Sequence, residues 1–373
     1  MRVLLSTYGS RGDVEPMVAL AVQLRRRAVE VRMCAPPDQD LADLLERESV
    51  PHVAFPKPWR SWERPPTPEE RERRVADFIA AQYDTVAEAA AGCDLVVATA
   101  MSQFVAPSVA EKQAVPYHYA LFCPDVVDGL DGRGFDDLFK APLDEHRASI
   151  GLPPVKDVGE LMFTSRPLLA ADPVLGPWHG SGGLAPVQTG AWTLADDRPL
   201  AADLRSFLDA GDEPVYVGFG SMRTVDEGSV RVVVTAIRAH GRRVVIGRGW
   251  AGLDVVDGRD DCFVVGEVNH QALFGRVAAV VHHGGAGTTN TAFRAGVPQV
   301  VVAQGGDQAY WARRVGDLGI GAEHPGATPT VESLTSSLGT ALTPETRRRA
   351  GALAAQSRGD GAAVAAQLLV DEV

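Results

Sequence analysis

The sequence predicts two α/β domains, each a parallel sheet with helices on both faces, and three observations carry that prediction. A strand, a Gly-rich loop and a helix open the chain at residues 2–27. The same three-part unit recurs at residues 278–295. Around each of them short apolar runs alternate with helical patterns, the βαβα order that builds parallel sheets. The length of 373 residues suits two domains of ordinary size, and a hydrophobic content of 45% suffices for two cores.

Taken in order, Arg2–Thr7 is a strand, Tyr8–Pro16 a turn, and Met17–Arg27 a helix with Pro16 near its first position. Val29–Ala35 is the next strand and Asp38–Glu48 the next helix. A dinucleotide-binding unit wants an acid at the end of its second strand for the ribose, and Val31-Arg32-Met33-Cys34-Ala35 offers none. Phe55–Arg74 holds five Pro, two Trp and many charges, so it reads as a loop and a charged helix start, which Val75–Ala91 continues. Asp94–Ala100 is a buried strand, Gln103–Gln113 a helix and Tyr117–Phe122 another strand. Asp125–Gly134 is rich in Gly and Asp and reads as a mobile loop. Ala185–Pro214 lacks periodicity until a short helix near Leu200–Ala210, so the boundary falls there. The expected division is residues 1–196, a linker at 197–213, a second domain at 214–357 and a closing helix at 358–373.

The alternation then restarts. Val215–Phe219 is a strand ending in Gly220-Ser221, Ser229–His240 a helix, and Arg243–Ile246 and Cys262–Val265 strands. After a helical turn at Gln271–Arg276 comes the stretch around which the chain is organised, Val277–Thr291. Ala278–Val281 is a Val/Ala strand closed by His282 and His283. Gly284, Gly285 and Gly287 allow a tight turn and a close ligand. Thr288 and Thr289 open a helix that Gly296 and Pro298 end. A strand, Gly loop and helix start present free N–H groups and the positive end of a helix dipole, which suits phosphate. His283 adds a ring donor and the threonines add hydroxyls, so the stretch reads as a diphosphate site; the alternative is an ordinary turn. No Lys follows the glycines and the spacing is not G-x-G-x-x-G, so neither common phosphate motif is present. Gln299–Ala303 is the following strand, and Asp307-Gln308 start a helix that runs to Leu318. Ligands of such sheets bind at the carboxyl ends of the strands, so two facing domains would enclose a cleft.

Composition excludes several partner classes. The net charge of −12 and pI near 5.2 argue against nucleic acid and anionic membrane. No apolar run approaches the roughly 18 residues of a transmembrane helix. The start of the chain lacks the long apolar core of a signal peptide, so a cytoplasmic protein is expected. The four Cys are far apart and form no CxxC, as reduced cytosolic cysteines do.

The motifs now on the page resemble a known family. Gly9-Ser10-Arg11-Gly12-Asp13-Val14-Glu15-Pro16, Gly266-Glu267-Val268-Asn269-His270, His282 to Thr289 and Asp307-Gln308 are similar to those of GT-B nucleotide-sugar glycosyltransferases of antibiotic biosynthesis. Arg147 to Pro154, Gln188-Thr189-Gly190-Ala191-Trp192 and Tyr216 to Ser221 narrow the resemblance to enzymes that glycosylate vancomycin- and teicoplanin-type heptapeptides. It runs the length of the chain. It implies two Rossmann-like domains, an N-terminal one for the acceptor and a C-terminal one for the donor, with a last helix crossing back to the first. Asp125–Glu145 and the loop after Ser221 look shorter than their counterparts in the family.

Transfer from a nucleoside diphosphate sugar needs a base, a holder for the leaving diphosphate and contacts that orient the sugar. Asp13, in the slot where many relatives carry a His, is the expected base; capping the helix at Pro16 is its alternative. Ser10, Arg11, Gly12 and Ser221 are placed near the donor, and Arg11 either reaches the diphosphate or is solvated. His283, with Gly285, Ala286, Gly287, Thr288 and Thr289, forms the phosphate cradle, while His282 is packed or functional. The resemblance makes Asp307 and Gln308 sugar binders, with helix capping the alternative for Asp307, and gives Val268 a backbone contact to the base. Asp38-Gln39-Asp40 is a D-x-D, read as a helix cap, and no catalytic metal is expected. Trp59 and Trp62 either pack on an aromatic acceptor or anchor their loop.

The expected activity is inverting, metal-independent transfer of a hexose to a hydroxyl of a glycopeptide aglycone. UDP-glucose or UDP-N-acetylglucosamine is favoured, with a dTDP-deoxysugar next and no further cofactor. Its partners are the small-molecule donor and the peptide acceptor, and a monomer is expected. The competing readings are a nucleotide-sugar epimerase of the same fold, a glycosyltransferase for another aromatic natural product, and a silent relative serving as a partner protein.

Overall fold

The computed structural model describes residues 1–61, 67–100, 104–126, 136–164, 166–180, 184–221, 227–254 and 257–372. It contains two compact units, Met1–Ala171 with Trp178–Leu194 and Gly359–Val373, and Asp172–Pro177 with Ala195–Arg358.

The first unit is a parallel sheet of β1 (Arg2–Thr7), β2 (Glu30–Ala35), β3 (His52–Ala54), β4 (Leu95–Thr99), β5 (Tyr117–Leu121), β6 (Leu168–Leu169) and β7 (Val187–Gln188), in the order β3-β2-β1-β4-β5-β6-β7. Its helices are α1 (Arg11–Arg25), α2 (Gln39–Arg47), α3 (Pro68–Ala90), α4 (Ala106–Gln113), α5 (Ala141–Ser149) and α6 (Val158–Met162). Val3, Leu4 and Leu5 are fully buried, as a strand covered on both faces requires. The strand order reverses between β1 and β4, and both pair with each other in parallel.

Two local expectations change. Helix α1 starts at Arg11, not Met17, because Ser10 and Asp13 form a capping box ahead of the proline. Pro16 therefore lies inside the helix and leaves the Gly12 carbonyl without its usual donor four residues on. Asp38 precedes α2 but makes no capping bond with it. Its buried carboxylate instead accepts the Trp59 N–H at 2.6 Å and the Arg60 N–H at 3.0 Å, holding the turn at Trp59–Ser61. Asp40, the other acid of the D-x-D, pairs with Arg60 at 2.9 Å.

The second unit is a parallel sheet of β8 (Val215–Gly218), β9 (Val244–Gly247), β10 (Cys262–Val265), β11 (Ala279–His282), β12 (Gln299–Val301) and β13 (Gly321–Glu323), in the order β10-β9-β8-β11-β12-β13. Its helices are α7 (Ala202–Asp209), α8 (Glu227–Ala239), α9 (His270–Phe274), α10 (Ala286–Arg294), α11 (Gln308–Asp317), α12 (Val331–Ala341) and α13 (Pro344–Ala354). Strand alternation divides the core between the two faces. Val215, Val217, Val281 and Val300 pack with Val233, Ile237, Leu334 and Leu338. Tyr216, Val245 and Val280 pack on the other side with Leu204, Leu273, Phe274 and Ala292.

The last helix, α14 (Gly361–Glu372), belongs to the first unit. Ala362, Ala365, Ala366 and Leu369 share a core with Met17, Val18 and Ala21 of α1. Arg27 secures it by donating to the Ala363 carbonyl at 3.0 Å and Gln367 Oε1 at 3.1 Å. A Cβ on Gly361 would lie 2.4 Å from the Gly190 backbone, so this contact needs glycine. The return of the chain to its first unit is what the resemblance implies. No helix among the described residues is long and apolar enough to cross a membrane, and the four cysteines form no disulfide.

Candidate functional site

In the second unit the strand order reverses between β8 and β11, so the loops after these strands flank the place where such sheets bind ligands. Strand β11 ends at His282, and Gly284 turns the chain with φ +93°. A Cβ there would meet Val301 Cγ1 at 2.7 Å, so only glycine fits. Gly285 takes the cap position of α10 and has no side chain to cap it. Among the described residues no group accepts from the N–H groups of Ala286, Gly287 and Thr288. A Cβ on Gly287 would have nothing within 4 Å, so open space adjoins these donors. The combination of oriented N–H groups, a dipole end and open space is what an anion needs.

His283 stands beside this helix start. A Cβ on Gly285 would lie 2.6 Å from its Nε2, and one on Gly220 3.1 Å from its Cε1, so two glycines make room for the ring. Burial pushes its pKa down to about 4, and its Nδ1 is buried with no hydrogen-bond partner among the described residues. A neutral imidazole still carries one N–H to donate. His282 is different: it is fully buried and both its nitrogens are bonded, one to Gly284 N–H and one to Gln299. Burial foremost, then the neighbouring His283, lowers its pKa to about 3.

The threonines part company. Thr288 is half-buried in the first turn, whereas Thr289 is buried and its hydroxyl donates to the Gly285 carbonyl at 2.9 Å, the carbonyl four residues back. The proton expected for a ligand is thus already placed. Ser221 is half-buried and follows Gly220, which has φ +54° and accepts the Trp250 N–H at 2.9 Å. Val268 sits in a loop tied on both sides: Arg198 reaches Glu267 at 3.0 Å, and the Asn269 amide donates to the Asp196 and Arg198 carbonyls at 2.7 and 2.8 Å. His270 Nε2 lies 2.9 Å from the Tyr216 hydroxyl. Asp307 occupies the cap position of α11 but makes no capping bond, so capping does not explain it. Burial raises its pKa. Gln308 Oε1 accepts the Gln304 N–H at 2.8 Å.

In the first unit, the loop after β1 carries Asp13. Its Oδ2 accepts from Ser10 N–H at 2.8 Å and Ser10 Oγ at 3.2 Å. A Cβ on Gly9 would lie 2.2 Å from that oxygen. Gly12 is exposed, and Arg11 Nε donates to Glu15 at 2.7 Å, one turn on. Tyr119, buried, donates its hydroxyl to the Ala100 carbonyl at 2.9 Å. Burial and the charge of Asp13 both raise its pKa, which places the ring within electrostatic reach of the carboxylate. Trp59 meets the Tyr8 ring edge-on at 5.7 Å, and Tyr8 also touches Phe55 and Phe78 at 5.3 and 5.1 Å. An aromatic cluster therefore adjoins the Asp13 loop. Trp62 lies outside the described residues. Sequence reasoning missed Gln299, Trp250 and Tyr119; a glutamine heading a Val strand was the one visible signal.

Among the described residues no group of three or more His, Cys, Asp or Glu side chains is arranged to hold a metal ion.

Comparison with known proteins agrees with this architecture. Residues 3–130 match the glycosyltransferase family 28 N-terminal domain, and residues 252–366 the erythromycin biosynthesis protein CIII-like C-terminal domain. The chain is 51% identical to glycosyltransferase GtfE of Amycolatopsis orientalis, over 99% of this chain and 97% of that protein. It is 49% identical to the vancomycin aglycone glucosyltransferase of the same organism, over 100% and 98%. The dTDP-epi-vancosaminyltransferase of that organism is 46% identical, over 100% and 98%. The alignment with GtfE runs over 400 positions against 373 residues here, so GtfE carries residues this chain lacks. Among solved structures, the glycosyltransferase of kitacinnamycin superposes with a TM-score of 0.77 at 20% identity, covering 100% of this chain and 99% of that one. The calicheamicin glycosyltransferase CalG4 gives 0.76 at 18%, covering 99% and 98%. VinC in complex with dTDP gives 0.69 at 22%, covering 95% of each chain. With close full-length relatives and this two-sheet fold, the chain belongs to the GT-B nucleotide-sugar glycosyltransferases, in the family that serves vancomycin-type glycopeptide antibiotics.

Proposed function

We infer that the chain is an inverting transferase that moves a hexose from a nucleoside diphosphate sugar to a hydroxyl of a heptapeptide aglycone. UDP-glucose or UDP-N-acetylglucosamine is the favoured donor. The observation that carries this reading is the uncapped start of α10, where three N–H groups face open space beside the neutral His283. It is supported by the 49% identity to an aglycone glucosyltransferase and by the dTDP held by VinC.

In this reading the first unit takes the acceptor and the second the donor. The N–H groups of Ala286–Thr288 and the His283 ring hold the diphosphate, with Ser221 beside them. The Val268 backbone receives the heterocyclic base of the nucleotide, and Asp307 and Gln308 receive sugar hydroxyls. Trp59, half-buried and backed by the buried Tyr8, offers its ring to the aryl groups of an aglycone. The acceptor oxygen attacks the anomeric carbon, the bond from that carbon to the diphosphate oxygen breaks, and the hydroxyl proton passes to the Asp13 carboxylate. Attack opposite the leaving group inverts the configuration. Oriented N–H groups stabilise the charge on the leaving diphosphate, so no divalent metal is required.

The test is a mass-spectrometric screen of UDP- and dTDP-sugars against heptapeptide aglycones, with and without EDTA and with acceptor-free controls. The expected product, its anomeric configuration read by proton NMR, is a β-linked glycoside from an α-linked donor, formed equally in EDTA. Conversion of the donor without acceptor, retention of configuration, or a rescue by magnesium would each overturn the corresponding part of the reading.

A further inference from the structure

His282 is a fully buried titratable group that the transfer chemistry leaves unused. The Gly284 N–H donates to its Nδ1 at 3.0 Å. A backbone amide can only donate, so Nδ1 is bare and the proton sits on Nε2. Nε2–H then donates to Gln299 Oε1 at 2.9 Å, at the start of β12. The Gln299 amide nitrogen donates to the Thr289 carbonyl at 3.4 Å, and the Thr289 hydroxyl to the Gly285 carbonyl at 2.9 Å. This run of bonds begins at Gly284 and ends at Gly285. It spans strand β11, strand β12 and helix α10 from the buried side, while the opposite side of the same turn carries the open N–H groups of Ala286–Thr288.

We propose that His282, fixed by Gln299 as the neutral Nε2–H tautomer, is a positioning residue that locks the Gly284-Gly285 turn and thereby aims the α10 N–H groups and His283 at the donor diphosphate. The proposal rests on the reading of this turn as the diphosphate site. A Gly-Gly pair is the most pliable dipeptide a loop can have, and Gly284 must hold φ +93°. Holding it before binding removes an ordering cost from the binding step. A leucine would fill the same space but strand the Gly284 N–H and the Gln299 carbonyl without partners. A doubly protonated ring would set its Nδ1–H against the Gly284 N–H and open the turn. Protonation is opposed by burial and by His283, the one titratable group that acts on the ring; the remaining contact, Gln299, is uncharged.

The experiment is calorimetry on the full chain with inorganic pyrophosphate and with UDP as probes. His282→Leu should weaken both by about tenfold or more. His282→Asn, whose Oδ1 can stand in for Nδ1, should recover most of that loss. Gln299→Glu places a carboxylate on Nε2 and favours the charged ring, so its affinity should fall relative to wild type as pH drops from 8 to 5.5. A folded His282→Leu variant that binds both probes like wild type overturns the proposal. If that variant does not fold, a Gln299→Glu pH profile parallel to that of wild type overturns it instead. Nitrogen-15 NMR showing His282 protonated on Nδ1 at pH 7 overturns it without any ligand. Wild-type protein that binds neither probe brings down the diphosphate reading itself, whereas binding that no variant alters brings down the positioning role alone.

Discussion

Asp13→Asn and Asp13→Ala, compared side by side, separate two jobs assigned to one carboxylate. The carboxylate accepts Ser10 N–H at 2.8 Å and Ser10 Oγ at 3.2 Å, as the third residue of the capping box of α1. Asparagine offers an oxygen to the same donors, so the helix start survives. Alanine removes both bonds and should cost about 1 kcal/mol, the usual worth of such a cap. For a unit of this size class that is a fall of roughly 2–4 °C in melting temperature. Neither variant can take up the acceptor proton, so turnover should fall by about 10²–10⁴-fold in both. The expected pattern is an equal loss of turnover with an unequal loss of stability. Single-turnover rates at saturating donor, followed by mass spectrometry, give the first quantity, and scanning calorimetry on the same samples gives the second. An Asn variant that kept most of its turnover would refute the reasoning and leave Asp13 as a helix cap. So would a turnover loss that appeared only in the Ala variant, since it would track the cap and not the base.

Three further outcomes are expected. His283→Ala should weaken UDP binding by about 1.5–3 kcal/mol, the worth of a hydrogen bond to a charged group, and calorimetry with unchanged affinity would remove His283 from the cradle. Asp307→Ala should leave UDP affinity near wild type and lower UDP-sugar turnover, because free UDP lacks the hydroxyls the carboxylate would accept from; equal losses for both ligands would mark a structural role. Acidification should destabilise the second unit. His282 titrates near 6.5 when unfolded and about 3 when folded, so the unfolded chain takes up a proton that the folded one refuses. Its contribution is complete above pH 6.5 and shrinks as pH falls towards 3, by about 2 kcal/mol between pH 7 and 5. Urea unfolding with equal free energies at those two pH values would contradict this.

The fold was legible because parallel strands buried on both faces leave continuous apolar runs, such as Val3-Leu4-Leu5 and Ala279-Val280-Val281. Strands β6 and β7, of two residues each, leave no such run and were not seen. Helix α1 starts at Arg11 and not after Pro16 because Ser10 and Asp13, three apart, form a capping box that outweighs the proline as an opening signal. Asp38 looks like a local cap in the sequence because a sequence shows only neighbours along the chain. The groups that claim its carboxylate are the N–H groups of Trp59 and Arg60, more than twenty residues away, brought there by the packing of the Pro-rich segment.

The two adjacent histidines show where sequence reading stops and what replaces it. Both stand at the end of one strand, and their types and order do not say which faces the ligand. Side chains alternate across a strand, so one must turn towards the core and the other away from it. The core side is decided by Gln299, seventeen residues on, which gives His282 an acceptor in a place where an unpaired imidazole would be costly. His283 is left to the side of Gly220 and Gly285, whose missing Cβ atoms make the space. Both rings are held neutral at pH 7 by burial. In the proposed reading, the attraction for an incoming diphosphate at this turn would come first from N–H groups fixed in direction and not from imidazolium charge. Such a site would keep its strength through the pH range in which an exposed histidine gains or loses its proton.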